Sequence, residues 1–194
     1  MMRRARSIAV LGFLLAGAIG IISSTQTWLT VTRADGAADL LVPGASALPL
    51  LAPLSLAVLA LGAALSIVGS VLRYVFALLA AAGGVLLIAM TMPLAFAPPI
   101  AAVAPTVTEA TGLAGDQAMH DIIALITPTA WPSIALVGWA LLLAAAVFTL
   151  VTARGWKRGG RRYQADAAAH NRNDGPLDPI DSWDELSHGT DPTS

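Results

Sequence analysis

Four stretches of this chain run for a full helix length or more without a single charged residue. The first extends from about Ser7 to Trp28, the second from Leu48 to Leu72, the third from Tyr74 to Met92 and the fourth from Trp131 to Thr152. Their apolar residues are continuous rather than periodic. A helix surrounded by hydrocarbon reads this way, because its backbone is satisfied internally while every face must tolerate lipid. At about 1.5 Å per residue the first block spans roughly 33 Å, enough to cross a hydrocarbon core of about 30 Å. The blocks predict an all-α membrane protein: four transmembrane helices over residues 1–152, then a disordered cytoplasmic tail over residues 153–194. Charged residues make up only 12% of the chain, about half the share of a soluble domain, which fits a lipid bilayer as the main partner. The absence of cysteine excludes disulfides, thiolate metal sites and a cysteine nucleophile.

The punctuation between blocks sets the expected boundaries. Arg3, Arg4 and Arg6 precede the first block and would also suit a signal peptide, although only Ser23-Ser24-Thr25 follows in place of a clear A-x-A pattern. Pro49 and Pro53 lie near the start of the second block, where a missing N–H matters least. Arg73 separates the second block from the third, so a hairpin with Arg73 in its tight turn is expected. Pro93 closes the third block, and Pro132 sits in the first turn of the fourth. Thr30–Ala47 and Ala97–Ala130 are left as polar loops.

Basic residues give the orientation. Three arginines precede the first helix, Arg73 lies at the second turn, and Arg154, Lys157, Arg158, Arg161 and Arg162 follow the fourth helix; the other two loops hold only Arg33. By the positive-inside rule the chain is a multi-pass protein of the plasma membrane with both termini cytoplasmic. The aromatic residues expected at the membrane interfaces are Trp28 and Trp131 outside, with Tyr74 and Trp156 inside alongside Arg73, Arg161 and Arg162.

Reactive constellations are missing from the pattern. The four blocks contain no Asp, Glu, Lys, Arg or His, the groups that ion-coupled transporters place within the bilayer. His120, His170 and His188 are far apart, without an HExxH or paired spacing, and neither a phosphate loop nor a GxSxG elbow occurs. No enzyme activity, cofactor, metal or nucleic-acid partner is expected. Glu109, Asp116 and Asp121 match no metal loop and read as solvated charges of an outer segment. Small residues recur at four-residue spacing, as in Ala16/Gly20, Gly62/Ser66/Ser70 and Ala80/Gly84, which lets helices approach closely within the chain.

The tail carries the most specific pattern. Ile180, Trp183 and Leu186 are spaced to lie on one face of a short helix, with Asp181 or Ser182 as a cap, Gly189 as a stop and Asp191-Pro192 beyond. Two turns are too few to be stable alone. An apolar face on a long tether therefore reads as a docking peptide for a cytosolic protein, or as a latch onto its own membrane domain.

Four places together resemble the tryptophan-biosynthesis-associated membrane proteins of actinobacteria. They are Thr25-Gln26-Thr27-Trp28, Thr127-Pro128-Thr129-Ala130-Trp131-Pro132, Trp156 with Arg161-Arg162-Tyr163, and the closing Trp183-Asp184-Glu185-Leu186-Ser187-His188-Gly189-Thr190-Asp191-Pro192-Thr193. The pair Gly159-Gly160 departs from the pattern by loosening the basic linker. The resemblance implies a link to tryptophan biosynthesis and transfers no catalytic residue. On it rest two expectations: a membrane tether or regulatory interaction protein, or alternatively a small permease or exporter subunit for tryptophan or a related aromatic metabolite. A bundle interior lined by Ser, Thr and Gln would favour transport; a dry Ala/Leu interior would favour the tether.

Overall fold

The computed structural model describes residues 2–153. In chain order these form α1 (Met2–Ser24), β1 (Thr27–Arg33), β2 (Leu40–Pro43), α2 (Gly44–Ala47), α3 (Leu51–Leu65), α4 (Ser70–Phe96), a 3-10 turn (Ile100–Ala102), α5 (Ala104–Thr111), α6 (Asp116–Ile122), β3 (Ile123–Pro128) and α7 (Trp131–Thr152). Three helices are long and apolar enough to cross a bilayer: α1 over Ala5–Ser24, α4 over Val71–Phe96, and α7 over Trp131–Thr152.

Several expected boundaries are corrected. The second block does not form one helix to Leu72: α3 has 15 residues, about 22 Å of rise, and ends at Leu65. The turn is Ser66–Gly69, where Ser66 Oγ donates to the Ala63 carbonyl at 2.6 Å and Gly69 adopts an extended conformation before α4. Arg73 is therefore not in the turn but in the first turns of α4. Hydropathy misses this break because Ile67 and Val68 keep the run apolar through it. The third helix also does not stop at Pro93. It carries that proline internally and continues to Phe96, as membrane helices tolerate when neighbouring groups compensate for the lost backbone bond.

The bundle is organised around α1, which touches both α3 and α7, while α4 lies on α7. Close approaches fix the register. A Cβ on Gly12 would meet that of Ala145 at 2.8 Å, one on Gly62 would meet that of Phe13 at 2.8 Å, and one on Gly84 would meet Leu143 Cδ2 at 2.9 Å. Gly20 is the tightest point: a side chain there would collide with both Ser55 of α3 and Trp139 of α7. In lipid, where hydrophobicity does not drive helices together, such contacts carry the packing. Phe13, Ala16, Leu51, Val58, Ala80, Leu87, Trp139 and Leu142 fill the buried interior.

The first span ends at Ser24 and not at Trp28, and the residues from Thr27 onward together with the two segments expected as loops hold a three-stranded sheet and short helices at the end of the bundle where α1 and α4 finish, so the protein is not all-α. The strand order is β2-β1-β3 and both pairings are antiparallel. Thr30 lies opposite Leu41 on one side and Thr127 on the other, so β1 joins the α1–α3 and α4–α7 connections of the chain. The segment Thr27-Trp28-Leu29-Thr30-Val31-Thr32 is rich in β-branched and aromatic residues, which favours a strand over continued helix. Both edges are blunted: β2 has four residues and ends in Pro43, while β3 ends in Pro128 and shifts register opposite Thr32/Arg33.

Candidate functional site

No cluster of reactive side chains occurs among the described residues, and no group of three or more His, Asp or Glu there is placed to hold a metal ion. The functional geometry lies in the two ends of the bundle and its interior.

At the capped end α1 stops where hydroxyl side chains take over its last carbonyls. Ser24 Oγ donates to the Ile21 carbonyl at 2.7 Å and Thr25 Oγ1 to the Ile22 carbonyl at 2.9 Å. The chain then reverses and Trp28 folds back. Its Nε1–H donates to the carbonyl and the hydroxyl of Ser23, both at 2.9 Å, and the whole residue is buried. Trp28 thus lies just past the end of the first span with its indole turned into the protein. Gly44 leaves the space it needs, since a Cβ there would come within 2.7 Å of Nε1. Thr129 ties the other connection to this point: its N–H donates to the Trp28 carbonyl at 2.8 Å, its Oγ1 donates to the Thr27 carbonyl at 2.7 Å and accepts from the Trp131 N–H at 3.3 Å. Thr129 so bridges the backbones of Trp28 and Trp131, with Trp131 half-buried at the start of α7.

The β1–β2 turn carries the main charged contact of the cap. Arg33 pairs with Asp35, Asp35 Oδ1 accepts from the Ala37 N–H at 3.1 Å, and Gly36 takes the left-handed conformation. The Ala37 N–H, and secondarily Arg33, hold the Asp35 carboxyl below its ordinary value of 3.8. Glu109, Asp116 and Asp121 lie on α5 and α6.

At the opposite end Arg73 is buried, and its Nη1 donates to the Ala153 carbonyl at 3.1 Å, at the C-terminal end of α7. Unpaired carbonyls and the negative end of a helix suit a cation there. Tyr74 follows it, half-buried. Trp156, Arg161, Arg162 and the tail set Ile180, Trp183, Leu186, Gly189, Asp191 and Pro192 lie outside the described residues.

Between these ends the interior is apolar. Ser55 Oγ and Thr149 Oγ1 are buried, and each donates to a carbonyl of its own helix, Leu51 at 2.6 Å and Ala145 at 2.7 Å. Thr91 and Trp139 are also buried, without a protein partner for Thr91 Oγ1 or Trp139 Nε1. A cleft of about 480 Å³ between α3 and α4 is lined by Leu, Ala, Val and Gly. The sequence singles out Ser23 and Thr129 only within longer motifs, without their hydrogen bonds, and does not single out Trp139. The Thr-rich strand pattern was a usable signal for Thr129, but Trp139 is simply one more apolar residue in a block that hydropathy reads as uniform.

A family model described as tryptophan-associated transmembrane protein matches residues 10–193. The chain belongs to this family. The match spans the bundle, the cap and the tail alike. No curated protein and no solved structure matches it.

Proposed function

We propose that this member of the tryptophan-associated family is a tether or regulatory interaction protein. It holds or controls cytosolic enzymes of aromatic amino-acid metabolism at the membrane and catalyses no reaction itself. The observation that carries the reading is the interior of the bundle. Ala9, Phe13, Ala16, Val58, Leu87 and Leu142 are buried there, and the hydroxyls of Ser55 and Thr149 are turned onto their own backbones. Between the two ends, Thr91 Oγ1 and Trp139 Nε1 are the buried polar side-chain atoms left unpaired among the described residues, neither of them charged, so a zwitterionic amino acid would find no opposite charge there, and burying unpaired charge is prohibitive. Transport is correspondingly the weaker reading.

In this proposal the chain crosses the plasma membrane four times with both termini cytoplasmic. Chain direction supports the count: α1 and α4 both run antiparallel to α7, so the segment between them must return across the bundle, and α3 is the element that does so. Charge supports the orientation, with nine Arg and Lys residues flanking the Arg73 end against Arg33 alone at the cap. The partner contact is assigned to the tail. Ile180, Trp183 and Leu186 supply the one-face anchors of a helix laid into a groove, and Arg158, Arg161 and Arg162 hold the base of the tether against anionic lipid.

The test is a pull-down from solubilised membranes with the intact chain, a chain truncated after Gln164, and Trp183→Ala. Recovery of a tryptophan-pathway enzyme with the intact chain alone is expected. Equal recovery by all three would remove the tail from the reading. Single-cysteine labelling at Ser194→Cys in intact cells checks orientation, since the chain has no cysteine of its own; labelling by an impermeant reagent would overturn the cytoplasmic terminus.

A further inference from the structure

The helices α3 and α4 follow one another through a four-residue turn, yet they do not close on each other. α3 is held by α1 and α4 by α7, and a cleft of about 480 Å³ stays between them. Val58 and Leu87 form its buried floor, and Leu54, Leu61 and Leu79 its walls. Gly83 opens onto space, since a Cβ there would have no heavy atom within 4 Å. Leu79 is 55% exposed, so the cleft opens sideways toward the surroundings of the bundle and not into its interior.

We propose that this cleft is a binding site for one acyl chain of a membrane phospholipid, held as a fixed part of the fold. Three observations select that occupant. The lining carries neither charge nor a side-chain hydrogen-bonding group, so it complements a neutral hydrocarbon and leaves the ammonium, carboxylate or indole N–H of an aromatic metabolite unpaired. Its extent suits a chain lying along the helices: Leu54 to Ala64 rises about 15 Å, roughly half of a hydrocarbon core of about 30 Å. Its volume of about 480 Å³ leaves room for a slender, unbranched group lying between the two helices. A transmembrane helix of a second copy, about 10 Å across, is too wide to enter between two helices joined by four residues at one end.

The experiment is native mass spectrometry of the full chain released from nanodiscs of 1-palmitoyl-2-oleoyl-phosphatidylglycerol. It compares the wild type with Gly83→Leu, which fills the cleft from a position with free space around its Cβ. One retained phospholipid per chain is expected for the wild type, with at least a fivefold lower retained fraction for Gly83→Leu. Helical circular dichroism and a monodisperse elution profile confirm that the variant is folded. If the leucine variant does not fold, Leu79→Trp, which narrows the mouth of the cleft from an exposed position, takes its place with the same expected loss. Gly83→Ala leaves most of the cleft open and keeps the lipid. Equal retention by the wild type and a folded cleft-filling variant overturns the proposal. So does a disulfide-linked dimer formed by Gly83→Cys in the bilayer, because that places a second copy against the cleft.

Discussion

The bundle and its cap are built by different rules from one chain. Inside the bundle, contact is made through absence: Gly12, Gly20, Gly62 and Gly84 bring helices together because they have no side chain. In the cap, contact is made through hydrogen bonds formed by specific side chains, with Trp28 on Ser23 and Thr129 on Thr27 and Trp131. The surrounding medium explains the contrast. Lipid gives apolar helices no reason to associate beyond close packing. In the cap, desolvated polar groups must find each other or be left unpaired.

The largest expected effect breaks the bundle rule. Gly20→Leu places a side chain against both Ser55 and Trp139, and overpacking at such a point costs about 3 kcal/mol. Thermal unfolding in detergent should show the whole chain destabilised, cap included, since α1 supports both. An unchanged transition would mean that α1 does not hold α3 and α7 at this point.

The next effect sharpens the cap rule. Trp28→Phe keeps most of the buried ring but removes the N–H that satisfies Ser23, at a cost of about 1–3 kcal/mol. Hydrogen exchange should quicken in β1 and β2 and leave α4 and α7 untouched. Uniform acceleration through all helices would erase the distinction between the two regions. Thr129→Val removes the bond donated to Thr27 and the one accepted from the Trp131 N–H and should cost about 1 kcal/mol, felt at the β1–β3 pairing and the start of α7.

The smallest effect is pH-dependent. The Asp35 carboxyl is lowered in the folded state, so it stabilises the β1–β2 turn above its unfolded value of 3.8, and this contribution disappears as pH falls through the lower folded value. Asp35→Asn should narrow the stability difference between neutral and strongly acidic pH slightly, read by the same thermal scans. A wider difference in the variant would reverse the assigned sign.

Legibility in the sequence followed the same divide. Trp131–Thr152 coincides with α7, because a lipid-embedded helix is specified by local hydropathy and its proline start. The break at Ser66–Gly69 was invisible, because nothing in an apolar turn tells hydropathy that the helix has ended. The sheet was harder still. The strand character of Thr27–Thr32 is local, but its partner Leu125–Pro128 lies far downstream, beyond α3 and α4, and single-sequence reading has no access to that pairing. The inward turn of Trp28 depends on Ser23 and Gly44, two small residues with no pattern of their own.

The placement of β1 between β2 and β3 has a consequence for how the protein is made. The ribosome delivers β1 and β2 early, but β3 only after α4 has been synthesised and immediately before α7. Until then β1 belongs to a two-stranded ribbon, a form that is marginal in water, with Val31 and Thr32 lacking their partners Ile126 and Leu125. Completion of the cap therefore reports that the last membrane helix has arrived at its place. A nascent chain stalled before α7 would expose the open edge of β1, a feature absent from the finished molecule.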